Sequence, residues 1–190
     1  MRTIIVLFML PIALFGLHFA AEDVEIILEG DGYLRVEAEY TFIVDGDCAR
    51  AIPVIYPVPV DSLMGAPDSA VVIFEGDTIT TPPFTTGETY PWATSRFALP
   101  VSEGCEKTWH IAYRQKLTAG HARYIVTTLQ LWNRPIDTAD FTIKYRSNFE
   151  EIYISYPPDT RETSDGIITA RFHFENWMPE RDFVIEWRGR

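Results

Sequence analysis

The sequence predicts an all-β protein: an antiparallel β-sandwich, Ig-like or jelly-roll-like, with about ten strands and little helix. Three observations predict it. Apolar and polar residues alternate with period two over much of the chain. Turn signals, Asp31-Gly32, Asp45-Gly46 and Asp165-Gly166, punctuate the alternating runs. No window free of Pro and Gly carries a strong helical period.

The runs follow one another in order. Val24–Leu28 is a short apolar run of the kind that forms a buried strand. From Leu34 to Val44 every even position is apolar, while Arg35, Glu37, Glu39 and Thr41 stand opposite, so one face is dry and one wet. Ala51–Tyr56 is a further apolar run, after which Pro57 and Pro59 demote its continuation to a sheet edge or an extended connection. Ala70–Phe74 follows. Lys107–Leu117 then sets Trp109, Ile111, Tyr113 and Leu117 against His110, Arg114 and Lys116. Tyr124–Trp132 alternates more loosely and is expected to be another strand. Phe141, Ile143 and Tyr145 share a face, Glu150–Tyr156 is a short run, and Ile168, Ala170, Phe172 and Phe174 oppose Thr169, Arg171, His173 and Glu175. Phe183, Ile185 and Trp187 end the series. An outer-membrane barrel is the competing all-β reading, but charged wet faces, a Pro-rich middle and the ending Arg188-Gly189-Arg190 fit it poorly.

Residues 1–21 read as an export signal. Arg2 precedes 14 uncharged residues from Ile4 to Leu17, too few for a spanning helix and suited to a signal core. Cleavage is expected near Ala20 or Ala21. The alternative is an uncleaved anchor. Residues 22–190 are then expected to form a single β-sandwich domain, with a subdivision conceivable in the Pro- and Thr-rich stretch 78–100. The chain would be secreted or periplasmic, with no membrane span after signal removal. Export favours a disulfide between its two cysteines, Cys48 and Cys105. The 57-residue loop so closed would be worth roughly 4 kcal/mol in the chain-entropy model. A net charge of −11 with no basic cluster argues against a nucleic-acid partner.

Few places suggest chemistry. The long loop Thr80–Trp92 carries Phe84, Tyr90 and Trp92, which could offer an aromatic platform to a sugar ring or an apolar patch on a partner. Set against that, the rings could fold back onto the core. His110, His121 and His173 lack metal-ligand spacing, so no metal site and no cofactor is expected. Glu37 and Glu39 lie on one face of a strand about 7 Å apart, compatible with a glycosidase pair but equally with a solvated sheet face. Glu150/Glu151 is a second such pair, and Asp45-Gly46-Asp47 is a turn before it is a calcium loop. Nucleophile elbows, His-Glu-x-x-His, phosphate loops and dinucleotide fingerprints are missing from the sequence.

The C-terminal third carries Tyr124-Ile125-Val126-Thr127-Thr128, Trp132-Asn133-Arg134-Pro135-Ile136, Phe141-Thr142-Ile143 and Asn176-Trp177-Met178-Pro179-Glu180-Arg181-Asp182-Phe183. With the earlier Pro53–Pro59 strand, these stretches resemble secreted bacterial β-sandwich proteins of unknown function. The resemblance covers about half the chain and implies an exported sandwich without assigned chemistry. The expected function is therefore a binding or structural module of the cell envelope, not an enzyme. It would meet a protein or glycan through a sheet edge or the 80–92 loop. The alternative is an extracytoplasmic polysaccharide hydrolase using a carboxylate pair.

Overall fold

A computed structural model describes residues 17–44, 51–87, 92–100 and 106–188. Strands dominate them: β1 (Leu17–Glu29), β2 (Tyr33–Val44), β3 (Ile52–Pro59), β4 (Ala70–Phe74), β5 (Asp77–Ile79), β6 (Thr85–Thr86), β7 (Trp92–Leu99), β8 (Glu106–Lys116), β9 (His121–Tyr124), β10 (Ile136–Arg146), β11 (Glu150–Ile154), β12 (Thr160–Ser164), β13 (Ile167–Trp177) and β14 (Phe183–Arg188). The one helical element among the described residues is a 3-10 turn, Thr127–Trp132. Cys48, Cys105 and the turn Asp45-Gly46-Asp47 lie outside the described residues.

An eight-stranded sheet, ordered β12-β13-β10-β1-β2-β8-β4-β5, is accompanied by two three-stranded sheets, β11-β14-β9 and β3-β7-β6. The large sheet is open at both edges and does not close into a barrel. The expected alternation is borne out where it was longest. Leu34, Val36, Ala38, Tyr40 and Phe42 of β2 are buried, as are Trp109, Ile111 and Tyr113 of β8 and Phe141, Ile143 and Tyr145 of β10. These faces meet the small sheets in one continuous apolar cluster. Phe183 of β14 lies 4.5 Å from Phe141, centroid to centroid, and Tyr56 of β3 meets Trp109 edge-on at 6.2 Å.

Three sequence expectations are corrected. The large sheet is mixed, not antiparallel, because β1 pairs in parallel with β10 from Ala21↔Thr138 to Ile27↔Lys144. No hairpin joins these strands, so no turn forces them antiparallel, and the register follows the match of Val24 with Phe141 and Ile26 with Ile143 on the buried face. The strands number fourteen among the described residues, not about ten. The surplus is partly short or fully exposed (β5, β6, β9 and the edge strand β12), but it also includes β7, eight residues long, which falls in the Pro- and Thr-rich stretch 78–100 read as a connection. Finally, Tyr124–Trp132 is not a strand beyond Tyr124. The chain curls into the 3-10 turn and leaves it at Asn133, whose φ is +51°.

Turn chemistry accounts for the hairpins. Asp165 and Gly166, at φ +51° and +73°, join β12 to β13. Glu75 and Gly76, at +51° and +87°, do the same for β4 and β5, although Glu-Gly is a weaker turn signal than Asp-Gly. Pro57 and Pro59 are accommodated because β3 is an edge strand, paired only with β7.

β1 begins at Leu17, so it takes in residues that the sequence reading gave to the leader. Its register slips by one residue between Phe19 and Ala21, opposite Phe42 and Thr41. This bulge turns Phe19 onto the same side of the sheet as Glu22, where it packs 5.0 Å from Phe42. No helix among the described residues is long and apolar enough to cross a membrane.

Candidate functional site

Period two places Val24, Ile26 and Leu28 of β1 on the buried face. Carried one step back, it places Glu22 there too. Glu22 is only 5% exposed, and it sits directly opposite Tyr40 of β2. Its carboxylate Oε1 accepts a hydrogen bond from the Tyr124 hydroxyl at 2.9 Å. Since that hydroxyl proton is engaged, the 2.6 Å contact between Tyr40 and Tyr124 has Tyr40 donating. The 3.0 Å contact between Tyr56 and Tyr40 then has Tyr56 donating. Three hydroxyls from β3, β2 and β9 thus form a chain polarised toward one carboxylate.

No lysine, arginine or histidine pairs with Glu22 among the described residues. Burial therefore dominates and pushes its pKa up to about 7, with the Tyr124 hydrogen bond acting in the opposite direction. The surrounding hydroxyls of Tyr40, Tyr56, Tyr113 and Tyr124 are raised well above the ordinary tyrosine value, chiefly by burial, so they stay protonated.

Above this carboxyl lies a cleft of about 110 Å³. Phe19, Tyr40, Phe42, Tyr56, Trp109 and Trp132 line it together with Tyr124 and Glu22, and Glu22 is the only charged residue of its lining among the described residues. Its rings are mutually packed: Tyr40 stacks on Trp109 at 4.6 Å, and Trp132 lies 5.9 Å from both Phe19 and Phe42. The mouth is apolar. Ile55 and Trp132 are 36% and 38% exposed, and Leu131 on the same 3-10 turn is 70% exposed.

The outer wall, Val126 to Trp132, is held from a distance. Asp182 Oδ1 accepts from the backbone N–H of Val126 and Thr127 at 3.2 and 3.1 Å and from the Thr127 hydroxyl at 2.8 Å. Gln130 Nε2 donates to the Pro179 carbonyl at 2.8 Å. Two of the stretches that carry the sequence resemblance, Tyr124–Thr128 and Asn176–Phe183, therefore meet at this wall. Asp182→Ala should cost about 2–3 kcal/mol, because it leaves three donors without their acceptor. Asp182→Asn, which keeps an acceptor oxygen, should cost less than half of that. Urea unfolding measures both, and amide exchange should quicken at residues 126–132 in the alanine variant. Equal losses in the two variants would mean that the charge, not the acceptor, holds the turn.

The residues singled out from sequence lie elsewhere. Phe84 is half-buried, with its ring 6.2 Å from Tyr113 and packed against the core. Trp92 is half-buried at the start of β7, and Tyr90 lies outside the described residues. His110 and His173 stand on the outer face of the large sheet, at opposite ends of a cross-strand row His173–Asp140–Asp23–Glu39–His110. His110 pairs with Glu39 at 2.6 Å and His173 with Asp140 at 2.7 Å. The hydrogen bond to Asp140, then that to Glu175, raises the His173 pKa. Partial burial, then the neighbouring Asp140, Glu39 and Glu25 carboxylates, raises that of Asp23. Among the described residues, no three His, Cys, Asp or Glu side chains come together as a metal site. Glu37 and Glu39 take separate partners, Arg35 and His110, and Glu151 pairs with Arg188. None of the four acids of the two pairs lines the cleft. Glu22 escapes a sequence reading that ends the leader near Ala21 and starts the first strand at Val24, although period two counted back from Val24 already puts it inside.

No family model matches the chain, and no curated protein does. Solved structures do. A protein from Legionella pneumophila subsp. pneumophila described as a "putative nutrient binding protein" superposes with a TM-score of 0.62 at 11% identity, over 90% of this chain and 66% of that one. The M1 zinc metallopeptidase from Deinococcus radiodurans superposes with a TM-score of 0.50 at 13% identity, over 90% of this chain and 42% of its own. The chain thus spans just under two thirds of the first protein and less than half of the second. At such identities the likeness is one of fold.

Proposed function

We propose that this protein is an exported binding module of the cell envelope and that its ligand seat is the aromatic cleft over Glu22. The observation that carries the reading is a carboxyl held almost wholly out of water, without a cation, at the base of a half-open aromatic cleft. Burying a charge in this way destabilises a fold, and sites that do so are candidates for binding or chemistry. The two small sheets laid on one face of the large one support a sandwich as the finer description of the fold. The word "nutrient" attached to the Legionella neighbour agrees with a binding role, although at that identity it adds only the fold.

The cleft is preferred to the 80–92 loop because the Phe84 ring is turned onto Tyr113. It also favours binding over the polysaccharide-hydrolase alternative, since Glu22 is the only carboxylate in the lining among the described residues and glycoside hydrolysis ordinarily uses two. Export remains part of the proposal, with the Cys48–Cys105 bridge. A chain processed at Ala20 or Ala21 would lose Phe19 from the cleft wall, whereas one processed ahead of Leu17 would keep it.

The test is to purify the native protein from its own cell envelope and identify retained small molecules by mass spectrometry. The companion sample is Thr128→Trp, which puts a large ring at the mouth. A compound retained by the wild type and missing from the variant is expected. Equal retention by both, or none by either, would refute the cleft as the ligand seat. The mass of the native chain reports processing in the same experiment.

A further inference from the structure

The cleft joins two features that together describe a ligand. Its walls are largely aromatic, with Phe19, Tyr40, Tyr56 and Trp132 among them, and its only charge among the described residues is negative. Ring faces carry negative electrostatic potential and attract cations, most strongly those that are weakly hydrated. Glu22 itself has Tyr124 as its only hydrogen-bond partner among the described residues and no counter-ion. An anionic ligand would meet repulsion from both features. A neutral apolar ligand would fill the volume and leave the carboxylate uncompensated.

We infer that the group seated in this cleft is a small alkylammonium, a methylated amine borne by a larger ligand, with its positive charge set between the aromatic rings and the Glu22 carboxylate. The inference rests on the proposed role of the cleft and names the chemistry of its ligand. The volume, about 110 Å³, suits a group of this size, while the remainder of the ligand would leave through the apolar mouth at Ile55 and Trp132. The titratable groups facing Glu22 from the strands around it are the hydroxyls of Tyr40, Tyr56, Tyr113 and Tyr124, all neutral across the working range. Among the described residues that line the cleft, Glu22 is thus the group whose charge changes with pH, while His18 and Arg134 line a separate, adjoining pocket with Phe19 and Trp132.

Tetramethylammonium chloride is the probe, and tert-butanol its neutral counterpart of similar shape. Sodium chloride at equal concentration controls for ionic strength. Chemical-shift titration at pH 8 should show saturable tetramethylammonium binding at Ile55, Thr128 and the Trp132 indole, with tert-butanol at least tenfold weaker. Glu22→Gln should weaken the cation tenfold or more and leave tert-butanol unchanged. In the wild type, lowering the pH from 8 to 5.5 should weaken the cation by a similar factor, because Glu22 takes up a proton. That second measurement needs no variant. Equal affinity for the two probes, or cation binding indifferent both to Glu22→Gln and to pH, would overturn the inference and leave the cleft as a seat chosen by shape. Absence of saturable binding by either probe would overturn it as well, whereas the cleft itself stands or falls on the retained compound and the Thr128→Trp variant.

Discussion

Glu22→Gln should make the protein more stable above pH 7, by up to about 3 kcal/mol. The reasoning follows from where the proton sits. In the unfolded chain Glu22 titrates near its ordinary value of 4.5, while in the fold burial holds it at about 7. Between those values the folded state keeps a proton that the unfolded state has released, so raising the pH favours unfolding. The stabilising contribution of the protonated form is complete below 4.5, falls through the interval and is gone above about 7. Glutamine is neutral throughout and can still accept from Tyr124 through its amide oxygen, so the slope in that interval should flatten. At roughly 2–4 °C per kcal/mol for a chain of this size, the melting temperature at pH 8 should rise by about 6–12 °C. Melting curves of both proteins at pH 5 and pH 8 are the measurement. Parallel curves, with the same wild-type-to-variant gap at both pH values, would mean that Glu22 is charged and solvated in the fold, and the cleft would lose its central feature. Stabilisation by this variant, together with the loss of cation binding expected of it, would place Glu22 among residues kept for a site at the expense of the fold.

Phe183→Ala should be the most damaging single truncation, costing about 3–5 kcal/mol. Phe183 is completely buried where β14 crosses the large sheet. Its ring lies 4.5 Å from Phe141, 4.6 Å from Tyr156 and 5.3 Å from Phe172, so it joins β10, β13 and the segment after β11. The residue before it is Asp182, which anchors the outer wall of the cleft. The loss should therefore reach the site, with faster amide exchange at residues 126–132. In urea the midpoint should fall with little change in slope. A loss below about 1 kcal/mol would mean that the sheets can close over the gap and that this contact does not organise the layers.

Much of the architecture was legible because alternation is a local property: successive side chains of a strand point to opposite faces, whatever the strand later pairs with. Leu34 to Phe42 and Phe141 to Tyr145 show it, and the buried faces fall on the expected residues. Pro57 and Pro59 marked an edge for an equally local reason, the missing N–H. Short elements escaped, and so did β7, which lies in the Pro- and Thr-rich stretch 78–100 read as a connection. β6 is two residues long and β12 is exposed at every position, so neither had a pattern to read. Tyr124–Trp132 was misread because Ile125, Thr127, Leu129 and Leu131 also suit a strand, and the decision came from Asp182, more than fifty residues away.

The site was legible only in fragments. Tyr40 and Trp109 were expected on inner faces, but nothing in the sequence said that these faces would converge with Tyr124. Residue order alone determined an all-β chain, its wet and dry faces, its main turns and its acidic surface, each following from side chains within a few positions of one another. Only the tertiary structure decided that β1 lies parallel to β10, that a bulge turns Phe19 inward, and that Glu22 is stranded among rings from β2, β3 and β9. Those outcomes depend on which distant strands bury each other's apolar faces, a choice made by the summed packing of the whole core and carried by no short stretch of chain.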